Sequence, residues 1–276
     1  MAPKPIPEGF HTITPYLISK GAARLIDFMK QAFGAEELYR FPMPDGSITH
    51  ATVRIGDSML ELSDGAPEWP PRAAAIHLYV PDADAVFQRA LQAGGTSVEE
   101  PVDQPYGDRE SGVKDPCGNF WWIATHKAAG AGTFMPPGFR TLTPGLSVVG
   151  AAQLIEFLRR ALGAEVVSSH TAPNGTVAHA ELRFGDSIVE LSEAHGQWKP
   201  LQSTIHLYVE DTDALYQRAM QAGAKSLREV RNEFYGDRTG GVEDPAGNQW
   251  WIATHVEDVP SEELGRRASA MKQHAG

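Results

Sequence analysis

The sequence predicts an α+β protein made of two tandem copies of one domain, each copy containing two successive βαβββ units. Two observations predict this class. The segment HLYV occurs at His77 and again at His206, and the same offset of 129 residues relates the two halves of the chain without a gap. Within each half, the order of one extended, one amphipathic helical and three extended segments occurs twice, the second time more loosely.

The constant offset also gives the domain boundaries. The first domain is predicted over residues 7–126 and the second over residues 136–255, because the register holds through loops as well as strands. Residues 127–135 between them are mostly small and indicate a linker. Residues 256–276 predict a helical tail that Ser261 caps. Two fused copies would mimic a dimer within one chain, and further homo-oligomers remain open.

The first unit of each copy can be followed element by element. Residues 13–19, ITPYLIS, predict a strand, and Pro15 within it suits an edge strand or the start of a strand. Apolar residues at helical spacing follow from Leu25 to Phe33, and Gly34 stands where a left-handed C-cap belongs. Turn residues at 44–46 then separate two further strands.

The next turn fixes which residues face each other. If Gly56-Asp57 forms a two-residue hairpin turn, Thr52 pairs with Glu61, and His50 becomes a diagonal neighbour of Glu61 on the same face. The second unit has the strand AIHLYV, a helix from about residue 82 to 94, and extended segments that end in NFWWIAT.

Composition excludes several classes of partner. The chain has 24 Lys and Arg against 35 Asp and Glu, a net charge of −11, which repels the phosphates of nucleic acids and anionic membrane surfaces. Cys117 is the single cysteine, so no intrachain disulfide can form, and a reducing cytoplasmic location is predicted. The sequence has no 18-residue apolar run and its N-terminal segment lacks the apolar stretch of a signal peptide.

The chain resembles the vicinal oxygen chelate superfamily, which includes glyoxalase I, bleomycin-resistance proteins and extradiol dioxygenases. The resemblance spans both repeats and is carried by the segments IGDSMLELSD, HLYVPDADAVFQRALQAGG and YGDRESGVKDPCGNFWWIATH. It implies that paired βαβββ units form a cup-shaped, mostly antiparallel sheet that holds a small ligand, often with a divalent metal. It also implies that the repeats can exchange units, so Glu61 faces either His77 or His206.

The resemblance further implies four positions for metal ligands, one on each of four strands. In this chain they fall on the pairs Thr14 and Thr143, Glu61 and Glu190, Ala75 and Thr204, and Trp122 and Trp251. Of the residues at these positions, only the glutamates are of a type that the superfamily uses as metal ligands. No cofactor is therefore firmly predicted, and glyoxalase I activity is not expected. His77 and His206 lie two residues beyond the third position, on the same strand face. A divalent metal ion at a shifted site is therefore the alternative, with candidates Glu61, His77, Glu190 and His206.

Two glutamate–histidine pairs are the candidate catalytic residues. They are Glu61 with His50 in the first repeat and Glu190 with His179 in the second. Glu181 replaces Thr52 in the second repeat, and two facing carboxylates are expected to raise each other's pKa if they are buried. The alternative is a solvated polar face or a hydrogen-bonded structural pair. A core histidine is likewise the alternative for His77 and His206.

Aromatic and basic residues are the candidates for ligand binding. Trp122 and Trp251 replace a metal-binding oxygen with an aromatic wall, or else fill the cup as core residues. Each repeat also has a YGDR loop whose guanidinium group can bind an anionic ligand or simply hold a turn. The loop residues concerned are Tyr106, Tyr235, Arg109 and Arg238.

Three function classes remain open on the sequence. The favoured one is a protein that binds a small organic molecule in an aromatic-lined cup, without an assigned reaction. The second is a divalent-metal-dependent enzyme, a lyase, isomerase or dioxygenase, that uses the shifted Glu and His site. The third is a non-catalytic interaction or stress protein whose tandem domains form a stable pair.

Overall fold

The computed structural model describes residues 3–127 and 133–274, which form sixteen strands and five helices. The predicted linker lies partly outside these ranges. The first repeat contains β1 (Ile13–Ser19), α1 (Ala22–Phe33), β2 (Glu36–Pro42), β3 (Ile48–Ile55), β4 (Ser58–Asp64), β5 (Ala75–Tyr79), α2 (Ala83–Gln92), β6 (Thr96–Asp103), β7 (Asp108–Lys114) and β8 (Phe120–His126).

The second repeat has the same order. Its elements are β9 (Leu142–Val148), α3 (Ala151–Phe157) continued by a π-helical turn (Leu158–Leu162), β10 (Glu165–Thr171), β11 (Val177–Phe184), β12 (Ser187–Glu193), β13 (Thr204–Tyr208), α4 (Thr212–Gln221), β14 (Lys225–Asn232), β15 (Asp237–Glu243) and β16 (Gln249–His255). The predicted helical tail contains α5 (Ser261–His274). The sequence therefore predicted the order of elements in both repeats correctly.

The strands form two open, eight-stranded sheets, and each sheet takes one βαβββ unit from each repeat. One sheet has the order β10-β11-β12-β9-β5-β8-β7-β6 and joins the two middle units of the chain. The other has the order β14-β15-β16-β13-β1-β4-β3-β2 and joins the first and last units. We call their concave sides the middle cup and the terminal cup. The repeats have thus exchanged units, one of the two arrangements that the sequence left open.

Short antiparallel ladders join the two units of each sheet. β1 pairs with β13, and β5 pairs with β9, over four residue pairs each. Pro15 lies in the first ladder opposite Ile205, so the expectation that Pro15 marks an edge or a strand start is wrong. Proline cannot donate a ladder hydrogen bond. Pro15 is nevertheless tolerated inside the sheet, because the parallel ladder of β1 with β4 begins at Tyr16, one residue after it.

Each repeat nevertheless has its own hydrophobic core. The first core runs from Leu17 to Ile123 and takes one residue, Leu142, from the second repeat. The second core likewise takes only Ile13 from the first repeat. Helices α1 and α2 pack against each other within the first core. Each repeat is therefore a packing unit, whereas each sheet and each cup belongs to both repeats.

Residues 115–119, DPCGN, form a structural turn between β7 and β8. The buried Asp115 carboxylate accepts hydrogen bonds from the backbone of Cys117 and Asn119 and from the indole Nε1 of Trp121, the last at 2.9 Å. The Asn119 side chain then accepts a hydrogen bond from the backbone of Ala74 at 3.1 Å. These bonds fix the start of β5 beside β8. Trp121 is fully buried, whereas Trp122 points to the opposite face.

Helix α1 ends as predicted, with Gly34 in the left-handed conformation at φ 69°. Its N-terminus is capped from a distant position, because Asp64 at the end of β4 accepts hydrogen bonds from the backbone of Gly21 and Ala22 at 2.7 and 3.0 Å. Glu193 does the same for α3.

Among the described residues, no helix is both long and apolar enough to cross a membrane.

The exchange of units predicts that one repeat alone cannot complete a cup. A fragment of residues 3–127 keeps its core but leaves one edge of β1 and one edge of β5 without their partners. We expect this fragment to form a homodimer in which β1 of one copy pairs with β5 of the other. Multi-angle light scattering after size exclusion tests this, with the full chain as control. A folded fragment with the mass of one copy at all concentrations would contradict it.

Candidate functional site

The middle cup encloses a cleft of about 1230 Å³. Alternation along β5 positions its lining, since Ala75, His77 and Tyr79 face the cleft while Ile76 and Leu78 face the core. The opposite wall comes from the second repeat, from β9, β11 and β12 and the loop after β12. The polar, aromatic and glycine residues of the lining include His77, Tyr106, Asp108, Glu110, Trp122, Gly145, His179, Glu181, Glu190 and Trp198.

A buried histidine–glutamate pair joins the two repeats at the base of the cleft. His77 Nδ1 lies 3.0 and 3.1 Å from the two carboxylate oxygens of Glu190 and donates a hydrogen bond to them. The His77 ring stacks on Tyr79 with ring centroids 4.5 Å apart. Its other nitrogen, Nε2, has no hydrogen-bond partner within the described part of the chain, and it lies 3.4 Å from Oε2 of Glu110.

The carboxylates determine the charge of this histidine. Burial opposes protonation of His77, but the charge and hydrogen bond of Glu190 and the charge of Glu110 outweigh it and raise the pKa of His77 to about 9. Burial likewise opposes the charge on Glu190, yet His77 lowers the pKa of Glu190. The expectation that Glu181 and Glu190 raise each other's pKa is therefore wrong for Glu190, although the two residues do face each other across β11 and β12.

Glu110 behaves differently from Glu190. Burial raises the pKa of Glu110, and the attraction of His77 does not fully offset this. Oε1 of Glu110 accepts a hydrogen bond from the hydroxyl of Tyr106 at 3.3 Å. The cleft therefore contains one carboxyl group with increased proton affinity beside one histidine that holds a proton firmly.

Aromatic side chains from both repeats form the walls. Trp122 and Trp198 meet edge to face with ring centroids 5.3 Å apart. Phe139 packs edge to face on Tyr79 at 5.5 Å, and Tyr106 at the rim is 59 % exposed. The sequence prediction that Trp122 lines the cup is thus consistent with the structure, and Trp198 is a second indole that the sequence analysis did not identify.

The terminal cup repeats the central pair, but a tyrosine stands where the middle cup has a glycine. His206 Nδ1 donates to Glu61 Oε2 at 2.7 Å. Tyr16 occupies the sheet position that Gly145 occupies in the middle cup, beside the glutamate in each case. Its hydroxyl lies 3.5 Å from His50 Nδ1, and burial raises the pKa of Tyr16 to about 12. A tyrosine side chain therefore fills space that the glycine leaves free.

A basic residue fills another part of the terminal cup. Arg228, at the position of Glu99 in the first repeat, lies 4.4 Å above the ring of Trp251 and pairs with Glu233 at 2.9 Å. Trp251 also packs on Trp69, as Trp122 packs on Trp198. Trp251 thus carries an arginine side chain on its ring, whereas Trp122 lines the cleft.

The candidate acid–base pairs have the predicted register. His50 Nε2 lies 3.7 Å from Glu61 Oε1, and Thr52 faces Glu61 across β3 and β4. Burial lowers the pKa of His50. His179 instead lies 3.9 Å from Glu181, whose hydrogen bond raises the pKa of His179.

The YGDR arginines lie outside the cleft. Arg109 makes two hydrogen bonds of 2.7 Å to Asp84 at the start of α2, and Arg238 pairs with Asp213 at the start of α4. Among the described residues, neither arginine lines the cleft. Both guanidinium groups are therefore held by the acidic first turns of α2 and α4. Tyr235 packs on Phe234 at 5.3 Å, while Tyr106 borders the cleft.

Sequence reasoning missed Glu110 and Gly145. Both differ between the repeats, because Thr239 stands in the place of Glu110 and Tyr16 in the place of Gly145. Comparing the repeats for differences, instead of for identities, would have found both residues.

The superfamily's set of metal ligands does not fit this cleft. Its four positions hold Thr143, Glu190, Ala75 and Trp122, so an alanine methyl and an indole stand where nitrogen or carboxylate ligands are needed. We therefore derive no chemistry from a metal held by that set.

Comparisons with known proteins agree with this architecture. Residues 9–123 and 142–252 match the family model of the Glyoxalase/Bleomycin resistance protein/Dioxygenase superfamily. An uncharacterized protein of Mycobacterium bovis is 42% identical over 120 residues, which cover 40% of this chain and 79% of that protein. An uncharacterized protein of Mycobacterium tuberculosis has the same identity over 120 residues, covering 40% of this chain and 71% of that protein.

Two solved structures have the same overall fold. Glyoxalase I from Zea mays superposes with a TM-score of 0.65 at 18% identity, covering 87% of this chain and 92% of that one. A putative dioxygenase from Bacillus subtilis superposes with a TM-score of 0.58 at 14% identity, covering 89% and 85%. At these identities the likeness concerns the fold alone.

The Glu61–His206 pair predicts a pH-dependent contribution to stability. Burial opposes both charges, but the pair lowers the pKa of Glu61 and raises that of His206. The contribution of Glu61 is lost as pH falls below about 4.3, and that of His206 is lost as pH rises above about 6.5. We expect Glu61→Gln to lower the free energy of unfolding by about 1–3 kcal/mol at about pH 5.5, and by less at about pH 8.5.

Urea unfolding at both pH values measures this difference. Glu36→Gln, which changes an exposed glutamate paired with Arg54, is the control. An equal loss of stability at both pH values would show that the pair does not titrate as described.

Proposed function

The chain belongs to the glyoxalase/bleomycin resistance protein/dioxygenase superfamily, and from this premise we propose that it binds one small organic molecule per chain in the middle cup. The observation that carries the proposal is the difference between the two cups. Gly145 leaves the middle cup open beside Glu190, whereas Tyr16 occupies the same position beside Glu61.

The lining indicates the chemistry of the ligand. Trp122 and Trp198 offer flat aromatic surfaces on which an apolar or aromatic group can stack. Among the described residues, five glutamates, Glu99, Glu110, Glu181, Glu190 and Glu193, line the cleft together with Asp108 and one lysine, Lys199. A ligand that combines a flat apolar part with hydrogen-bond donors or a positive charge would complement both features.

The same features bear on the other function classes. An open cleft with aromatic walls does not favour a purely structural pair of domains, since such a pair has no need for unfilled space beside a buried glutamate. A lyase, isomerase or dioxygenase is the second candidate function, favoured by the buried His77 and Glu110 side chains in contact with the cleft. Glyoxalase I activity is not proposed, because the residues at the ligand positions differ.

The partners follow from this proposal. The chain acts on a small molecule, not on nucleic acid or a membrane surface, in keeping with its net charge of −11. The two repeats supply one composite site, so the chain is its own pseudo-dimer. Cytoplasmic location stays a prediction from the single cysteine.

Exchanging the residues that distinguish the cups tests the proposal. A panel of flat aromatic cations, with acridine orange as the first probe, is titrated into the full chain in the presence of a chelator. We expect one bound molecule per chain by calorimetry, and a Kd raised at least about tenfold by Gly145→Tyr. The new Cβ meets the Ala75 Cβ at 3.5 Å, an ordinary contact, so the substitution fills the cleft without a backbone clash.

Tyr16→Gly is the matched control in the terminal cup. It leaves the middle cup intact, so the affinity of the first bound molecule is expected to stay unchanged. Binding that Gly145→Tyr does not weaken, or a panel in which no compound binds, would contradict the proposal.

A further inference from the structure

The middle cup contains a buried nitrogen without a hydrogen bond. His77 is 7 % exposed, and its Nε2 has no hydrogen-bond partner in the described ranges. The nearest charged atom is Oε2 of Glu110 at 3.4 Å. A buried imidazole nitrogen this close to a carboxylate oxygen, without a hydrogen bond to it, leaves both groups in need of a proton or a cation.

The other nitrogen of the same ring is already engaged. Nδ1 donates to Glu190 at 3.0 Å, so a metal ion that displaces the second ring proton would bind the lone pair on Nε2, which lies 3.4 Å from Glu110. In metal sites, a carboxylate that accepts a hydrogen bond from the other ring nitrogen orients a histidine ligand and increases its basicity. Glu190 therefore has the position of an orienting residue and not of a ligand.

A second carboxylate lies close to this gap. Single ligand atoms of His77, Asp108 and Glu110 all lie within 4.8 Å of one another. Asp108 accepts hydrogen bonds from the Tyr79 hydroxyl at 3.0 Å and from His126, which hold its carboxylate in place. Two ligands bound tetrahedrally at about 2.1 Å from zinc lie about 3.4 Å apart, which matches the separation of His77 and Glu110.

We propose that His77 Nε2, Glu110 and Asp108 form a site for one divalent transition-metal ion of the zinc class in the middle cup. Glu190, Tyr79 and Tyr106 position these ligands through hydrogen bonds. The site differs from the superfamily's ligand set, because Asp108 and Glu110 both lie on β7, which contributes no ligand to that set. Three protein ligands beside the cleft leave a fourth position for water or a bound molecule.

The terminal cup is an internal comparison for this site. It has equivalents of His77 and Asp108 in His206 and Asp237, but Thr239 replaces Glu110. Within the described residues, the Thr239 hydroxyl and His206 Nε2 both lack hydrogen-bond partners. A neutral hydroxyl is a poor ligand for a divalent transition metal compared with a carboxylate. The chain therefore binds one ion, in the middle cup.

Calorimetry and native mass spectrometry of the full chain test the site. The protein is stripped with a chelator, which is then removed, and titrated with Zn²⁺ alone at neutral pH, without any organic ligand. We expect one Zn²⁺ per chain, and a loss of at least about 100-fold in affinity in Glu110→Gln. Glu190→Gln is expected to weaken binding by about 10–100-fold, as for an orienting partner.

Thr239→Ala, at the equivalent position in the terminal cup, is the matched control and is expected to leave Zn²⁺ binding unchanged. Circular dichroism checks that each variant is folded. In long-range ¹⁵N NMR spectra, Zn²⁺ is expected to move the Nε2 resonance of His77 from the imidazolium to the metal-bound position.

Two results would overturn the site. One is Zn²⁺ binding that Glu110→Gln leaves unchanged, which would place the ion elsewhere. The other is a His77 resonance that remains that of imidazolium at saturating Zn²⁺, which would show that a proton fills the gap. Binding of Zn²⁺ and binding of the organic molecule are tested separately, since the dye titration is performed with chelator and the Zn²⁺ titration without dye.

Discussion

Pairing between the repeats is the constraint on which the rest of the structure depends. The β5–β9 ladder brings His77 of the first repeat beside Glu190 of the second, and the β1–β13 ladder does the same for His206 and Glu61. Each buried ion pair thus joins the two repeats across a sheet. Breaking one partner would leave a buried charge without compensation, which is far more costly than losing a surface pair. Each hydrophobic core lies almost entirely within one repeat, whereas each cup takes its buried histidine from one repeat and its glutamate from the other.

Local features of the fold could be predicted because local interactions determine them. The Gly56-Asp57 turn fixes the register that places Thr52 opposite Glu61, and Gly34 ends the first helix. The exchange of units could not be predicted, because the same strand patterns satisfy either pairing. Pro15 was misassigned for this reason, since whether a strand is at an edge depends on a partner encoded far along the chain.

The candidate site could be predicted only as far as the alternation of side chains along each strand assigns residues to one face of the sheet. Alternation along the strands placed Glu61, Glu190, His77 and His206 on cup faces, whereas it left open whether Trp122 lines the cleft or fills it. Glu110 was missed because β7, DRESGVK, does not alternate between apolar and polar residues and so gives no periodic signal. For Arg109 and Arg238 the residue type left ligand binding and a turn-holding role open, and the structure places both guanidinium groups against the acidic first turns of α2 and α4. Which cup is open depends on single substitutions between otherwise similar repeats.

The placement of partner strands at opposite ends of the chain also affects how the molecule is made. β5 and β9 emerge from the ribosome within a short interval, so the middle sheet can close early. β1 is synthesised near the start, yet its partner β13 follows about 190 residues later. Until then one edge of β1 is without its native partner, and the same edge on a neighbouring nascent chain can compete for it. The last strands of the middle sheet are therefore synthesised before those of the terminal sheet, so translation completes the terminal cup last.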